Sequence, residues 1–501
     1  MAGIEGSFDW ISLIYMIVGT CIGIIVGALP GLGAALAISI CLPFTFTMPP
    51  VPSILFLFAI YVGSTYGGSI AAILIHTPGT PSAAATVLDG YPLAQNGFPK
   101  KALSAALYSS VFGTFAGVIT LIIFAPAIAK IAINFGPVEY TSLMFFSLSM
   151  VAISSGNEIL KGLITASFGL FLATIGPDPI LGTSRFAFGT TDLQGGLEVI
   201  PILIGLFAVS ETLIQAEKLR RGETQDLKSS ITLNKNNQDS NLSIKEFFSK
   251  WKTLLKSSVI GTGLGALPAL GGAVACFVAY NEARRTSKNP EKFGTGCVEG
   301  IVSAESANNA TCGSALIPLL TFGVPGDVVT AVLLGALMIQ GLRPGPMLFQ
   351  EHGDIIVGLF VGFLICSILL LLIASFFMPL FSKIIHIKDI YLYPGVMILS
   401  LTGSYSMNNN IFDVKVTVLF GIIGYILRKW RYPIPPLIIA FILGSIFETN
   451  LRQALNISDI GMLTLITSPI AVFFYLATII SLFKTFQMYK KNEQTTDEFY
   501  E

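Results

Sequence analysis

Hydrophobic residues fill 53% of the 501 positions and charged residues only 12%, with a mean hydropathy of +0.75; soluble globular domains carry roughly 25% charge. The 29 basic and 29 acidic side chains cancel, which removes the basic footprint that a nucleic-acid-binding protein needs. The composition is that of an all-α polytopic membrane protein, with the lipid bilayer as its surroundings.

In chain order, apolar stretches near 11–29, 34–47, 52–75, 102–129, 138–154, 158–176 and 197–215 make a first half. A polar tract at 217–256 follows. The second half runs through 257–268, 272–283, 296–322, 354–378, 391–407, 413–427 and 434–448, and a segment near 464–483 has no counterpart. Several stretches are shorter than the ~20 residues that cross hydrocarbon as a helix, so re-entrant or broken helices are expected, with roughly eleven to thirteen full crossings. The division expected is 1–216 as a first membrane repeat, 217–256 as a cytoplasmic linker, 257–450 as a second repeat, and 451–501 as an extra helix and tail. The N-terminus lacks the basic stretch and small-residue cleavage site of a signal peptide, so the first apolar segment is read as a retained helix. Cys21, Cys41, Cys276, Cys297, Cys312 and Cys366 stand singly in apolar runs and are read as small hydrophobes.

Basic residues set the sidedness. The tract 217–256 holds nine Lys or Arg, from Lys218 to Lys256, and belongs at the cytoplasm. Alternating outward from it puts Lys100-Lys101, Lys161, Arg284-Arg285, Lys288, Lys292, Lys383, Lys388, Arg428-Lys429, Arg431, Lys484 and Lys490-Lys491 on that same face. The N-terminus then lies outside and the C-terminus inside. One half starts outside and the other inside, which makes them inverted repeats.

The halves also share a broken helix. Gly27-Ala28-Leu29-Pro30-Gly31-Leu32-Gly33 recurs as Gly265-Ala266-Leu267-Pro268-Ala269-Leu270-Gly271. Such breaks occur in a membrane only where protein or a cavity satisfies the freed backbone groups, and paired breaks point to a transported substrate. A second pair, His76-Thr77-Pro78-Gly79-Thr80-Pro81-Ser82 and Gly323-Val324-Pro325-Gly326-Asp327, ends an apolar run with Pro-Gly and offers a helix N-cap. Thr80 and Ser82 leave that positive end unneutralised, suited to a carboxylate. Asp327 partly neutralises its own, which fits either a nearby cation or a structural cap. Upstream of each Pro-Gly lies a polar, unwound-looking stretch, Gly63-Ser64-Thr65-Tyr66-Gly67-Gly68-Ser69 and Glu299 to Ser314. Glu305 precedes Asn308 and Asn309 by three and four residues, so the three share a face if that turn is wound. Glu299 is read as interfacial. Asp178 and Arg185 are solvated or paired in an external loop, His76 is a surface polar residue or a proton carrier, and Arg343 snorkels or meets a partner.

At these residues the chain resembles the large membrane subunit of the tripartite tricarboxylate transporter family. The resemblance spans roughly 15–450, adding Asp89-Gly90-Tyr91-Pro92, Arg185-Phe186-x-Phe188-Gly189, Glu305-x-Ala307-Asn308-Asn309-Ala310 and Gly341-Leu342-x-Pro344-Gly345-Pro346 to the motifs above. Ala269 and Ala304 depart from the family's usual glycine and proline. The resemblance implies bacterial inner-membrane uptake of a small di- or tricarboxylate, driven by a Na+ or H+ gradient. It also implies a periplasmic solute-binding protein that delivers the acid and a small membrane subunit as companion.

The candidate substrate-binding residues are therefore Pro30, Gly31, Gly33, Ser64, Thr65, Tyr66, Thr77, Pro78, Gly79, Thr80, Pro268, Asn308, Asn309, Pro325 and Gly326. Glu305, Asn309 and Asp327 are the candidates for a coupling cation, and no other cofactor is expected. A cation/proton exchanger or a stand-alone organic-anion carrier is the alternative within transport. An intramembrane enzyme is disfavoured, since no Gly-x-Ser-x-Gly elbow, metal-spaced histidine set or carboxylate dyad occurs.

Overall fold

The computed structural model describes residues 9–153, 158–222, 241–268, 270–384, 389–457 and 460–497. Residues 1–8, residues 223–240 of the linker, Ala269 and Lys388 lie outside them, as do the side chains of Lys383, Lys484, Lys490 and Lys491. The chain is an all-α, multi-pass membrane protein. Among the described residues six helices are long and apolar enough to cross a membrane, and four shorter apolar helices accompany them. The chain divides into two compact units, residues 1–129 with 200–425, and 130–199 with 426–501.

The first unit repeats one order of elements. In the first half α1 (Trp10–Gly27), a break, α2 (Gly33–Cys41), α3 (Pro50–Ile75), a Pro-Gly break, α4 (Ala84–Gln95) and the long α5 (Pro99–Ala132) follow one another. Further along the chain come α6 (Pro137–Ile153), α7 (Ile159–Ala173) and α8 (Val199–Arg220). The second half gives α9 (Trp251–Gly265), a break, α10 (Gly271–Thr286), α11 (Val298–Ser314) running on into α12 (Leu316–Phe322), a Pro-Gly break, α13 (Val328–Ile339) and the long α14 (Gly353–Ile384). The apolar runs announced most of these within a few residues; α4 and α13, short and following Pro-Gly, did not stand out as runs.

Packing within the unit is reciprocal between the halves. Helix α1 lies on α3, and α9 lies on α11. Helix α2 meets α13 while α10 meets α4, and α14 packs on α3. Helix α5 in turn packs on α11, where Cβ atoms at Gly113 and Gly117 would collide with the backbone of Ser306 and Ala310. Such approach is how membrane helices associate where no water drives burial. The sharpest example is the stripe Gly19, Gly23 and Gly27, whose added Cβ atoms would run into the carbonyls of Phe56, Ile60 and Ser64.

The polar stretches of α3 and α11 are wound, contrary to the expectation of unwound segments. Their hydroxyls close on their own helix: Thr65 Oγ1 donates to the Tyr61 carbonyl at 2.9 Å, Ser306 Oγ to Val302 at 2.7 Å, and Ser314 Oγ to Ala310 at 3.1 Å. Side chains that satisfy themselves on the preceding turn do not force the helix open. Four cysteines are buried and Cys21 and Cys297 are half-buried, all with free thiols.

In the second unit α15 (Ile434–Ile457) packs on α7 and α6, and α16 (Pro469–Asp497) on α6. The loop after α7 carries a two-stranded ladder pairing Gly176 with Arg185 and Pro177 with Ser184. Asp178 and Arg185 are paired, as one of the two sequence readings has it. Arg185 grips Glu448 with bonds of 2.6 and 3.0 Å, and Arg452 donates to Asp178 at 2.6 Å. The Leu181 amide, the Arg452 guanidinium and the Ile180 amide hold the Asp178 carboxyl well below the usual carboxylate range.

Candidate functional site

Glu305 on α11 is a fully buried ionisable group, with 0% of its surface exposed. A carboxylate there is costly unless its oxygens are satisfied. Four donors do so. Ser69 Oγ on α3 donates to Oε1 at 2.6 Å, and Thr86 Oγ1 on α4 donates to the same oxygen. Ser110 Oγ on α5 donates to Oε2 at 3.0 Å, and Asn309 Nδ2 to Oε2 at 3.2 Å. Asn309 Nδ2 also reaches Ser110 Oγ at 2.9 Å and the Glu305 carbonyl at 3.0 Å. One carboxylate thus ties three first-half helices to a second-half helix. The sequence pointed to Glu305 and Asn309; it passed over Thr86 and Ser110, whose only signal was a hydroxyl among apolar residues.

Four candidates end in buried polar atoms with no hydrogen-bond partner: Asn308 Nδ2, Asn309 Oδ1, Ser64 Oγ and Tyr66 Oη. Native interiors pair most such atoms, so each of these orphans calls for a partner outside the chain's own hydrogen bonds. Asn308 has its surroundings defined by the tip of α10. A Cβ at Gly272 would lie 2.5 Å from Asn308 Oδ1, 3.0 Å from Thr311 Oγ1 and 3.2 Å from Ser82 Cβ. The second break therefore meets the first half's Pro-Gly segment beside Asn308. Buried Pro268 lies just ahead of that tip.

In the Pro-Gly segment Thr80 is buried, and its Oγ1 lies 3.2 Å from Ser82 Oγ. The segment leads through a 3-10 turn, Pro81–Ala83, into α4, with no carboxylate in the first turn of either. Gly79 is wedged between Gly27 and Gly68 and donates its amide to the Gly68 carbonyl at 3.1 Å. Thr77 Oγ1 donates to the Ile75 carbonyl at 3.3 Å, and Pro78 is half-buried. His76 is exposed, left-handed at φ 57°, and stacks 4.4 Å from Tyr91.

Asp327 caps α13. Its Oδ1 accepts from the Thr330 amide at 2.7 Å while Thr330 Oγ1 accepts from the Asp327 amide at 2.8 Å, a reciprocal box. Its Oδ2 accepts from Tyr61 Oη at 2.6 Å. Pro325 and Gly326 lie buried behind it, with Gly326 against Ala315. Thr65 faces Cys312, 3.5 Å from its sulfur. The first break turns elsewhere: Gly31, at φ 89°, is exposed, and a Cβ there would meet Glu211 Oε1 at 2.9 Å. Pro30 and Gly33 flank it, half-buried.

Asp89 on α4 anchors this assembly from below. Its Oδ1 accepts the amides of Gly294, Gly296 and Cys297 at 2.9, 3.0 and 2.7 Å, and its Oδ2 the Tyr280 hydroxyl at 2.9 Å. The start of α11 is thereby fixed to α4. Glu299 pairs with Lys250 at 3.4 Å and Thr253 at 2.6 Å.

The geometry is that of a buried, hydroxyl- and amide-rich site between paired helix breaks. Two curated relatives are similar to the chain. An uncharacterised 52.8 kDa protein of the TAR-I ttuC' 3' region of Agrobacterium vitis is 34% identical over 479 residues, 94% of this chain and 92% of its own length. An uncharacterised protein of the TAR-II ttuC' 3' region of the same organism is 37% identical over 211 residues, 42% of this chain and 87% of its own. No solved structure matches. The family model described as the tripartite tricarboxylate transporter TctA family matches residues 13–439, and with paired breaks framing a polar buried site the chain belongs to that family of membrane transporters.

Proposed function

We propose that the chain takes up a small, citrate-like di- or tricarboxylate across the bacterial inner membrane by alternating access, coupled to an inward gradient of Na+ or H+. A periplasmic solute-binding protein delivers the acid, and a small membrane subunit completes the complex. The N-terminus is assigned outside and the C-terminus to the cytoplasm, with inverted repeats. The supporting observation is the meeting of Ser82, Asn308 and Gly272, where an uncharged helix start and an unpartnered amide donor lie together. A substrate carboxylate placed there accepts from Asn308 Nδ2, Thr80 and the free amides of the turn, with no buried lysine or arginine required.

The coupling ion is assigned to Glu305 and Asn309. Hydroxyls that donate to Glu305 can instead turn their lone pairs to a cation, and Asn309 Oδ1 adds a free acceptor. Protonation of Glu305 has the same effect on its donors. Asp327, with both oxygens engaged, is assigned to holding its break in place.

The test is uptake of labelled citrate into proteoliposomes holding both membrane subunits. Uptake that requires the loaded binding protein and an imposed Na+ or H+ gradient supports the reading. Equal uptake without the binding protein would make the chain a stand-alone carrier, and uptake indifferent to both gradients would remove the coupling.

A further inference from the structure

A basic groove lies apart from the Glu305 site, between α9 and α10. It holds a cavity of about 650 Å³, whose lining among the described residues includes Lys250, Lys252, Lys256 and Lys288 against two carboxylates, Glu282 and Glu299. Lys250 faces Glu299 and Lys256 faces Glu282, on which Arg285 also closes. Lys252 lies 5.8 Å over the Trp251 ring. The cavity keeps two positive charges in excess, over a floor of small side chains that includes Ser257 and Ala283.

The groove does not end at the charges. A second cavity of about 640 Å³ shares Lys256, Ile260 and Glu282 with the first and adds Val278, Asn281 and Arg285. On α9 itself Trp251, Leu255 and Val259 lie at four-residue spacing and are 52%, 47% and 68% exposed, one outward apolar stripe. A cationic mouth thus lies next to Ile260, Val278 and the exposed apolar stripe of α9, the polarity order of a phospholipid from head to tail.

We propose that this groove binds the headgroup of an anionic phospholipid, its phosphate held by Lys252 and Lys288 and an acyl chain laid along Ile260 and Val278. Basic pockets between helix ends select anionic over zwitterionic lipids through charge, and the apolar continuation gives a lipid what a water-soluble phosphate lacks. The location also suits the tract that the basic-residue rule puts at the cytoplasm.

Native mass spectrometry of the full-length chain in neutral detergent tests this, with phosphatidylglycerol and phosphatidylcholine of equal chain length as probes. The wild type is expected to retain phosphatidylglycerol at least tenfold over phosphatidylcholine, and the double variant Lys252→Gln, Lys288→Gln to lose that preference while its thermal midpoint stays unchanged. Glycerol phosphate at the same concentration should not displace the lipid. Equal retention of the two lipids, an undiminished preference in the variant, or displacement by glycerol phosphate would each overturn the proposal. Loss of the adduct on binding the small membrane subunit would assign the groove to that protein instead.

Discussion

Ser69 and Glu305 lie 236 residues apart and are joined by a hydrogen bond of 2.6 Å between Oγ and Oε1. The bond links the two sequence halves at a point where both are fully buried. A hydrogen bond to a charged group contributes about 1.5–3 kcal/mol, and Glu305 receives four donors, so its protonation or replacement affects α3, α4, α5 and α11 together.

The first prediction concerns that network. Asn309→Ala removes a donor to Glu305 and the free acceptor, and should raise the cation concentration for half-maximal uptake about tenfold, the equivalent of 1.4 kcal/mol. The binding protein's own affinity for the acid should not change. An unaltered cation dependence in the uptake assay would leave Asn309 as a packing amide.

Glycine packing gives the second. Gly23→Val forces a side chain against the Ile60 carbonyl and the Ser64 amide, an overpacking that costs about 1–3 kcal/mol. Gly263 on α9 has open space where its Cβ would be, so Gly263→Ala should hold or raise stability. Thermal unfolding in detergent should separate the two, and equal midpoints would mean that α1 and α3 are not in tight contact.

Much of this was legible in the sequence, for reasons that differ by residue. The breaks at Pro30 and Pro268 and the cap at Asp327 announce themselves because proline, glycine and N-cap residues act locally. The partners of Glu305 did not: Thr86 and Ser110 are ordinary hydroxyls in apolar helices, and only the packing of α4 and α5 on α11 brings them to one carboxylate. The winding of 63–69 and 299–314 is not legible from polar composition, because Thr65, Ser306 and Ser314 bond back to their own helices.

The third prediction follows from Asp178. Its folded pKa lies below the ordinary value, so its stabilising effect is present above the unfolded value, roughly 3.9, and is lost only as pH falls through the depressed one. Amide exchange at 178–185, corrected for intrinsic rate, should therefore stay level between pH 8 and 5. Asp178→Asn should raise it across that range. A rise in the wild type near pH 6 would show that the Arg452 contact does not hold the carboxylate.

Topology supplies the fourth. Cysteines placed at 241–256 and 284–292 should react with impermeant reagents only from the cytoplasm, and cysteines at 341–353 only from outside. Labelling of 284–292 from the periplasm would contradict the inverted repeat.

The site assigned to the substrate carboxylate is tested most directly by comparing Thr80→Asp with Thr80→Ser at equal membrane expression. An anion at a helix start gains on the order of 1 kcal/mol, and more when desolvated. A fixed negative charge at Thr80 should repel the acid and cut uptake about tenfold or more, while serine keeps the hydroxyl and its bond toward Ser82. Full activity of the serine variant with loss in the aspartate variant is the result the account predicts; an aspartate variant that transports as well as the serine variant would place the carboxylate elsewhere.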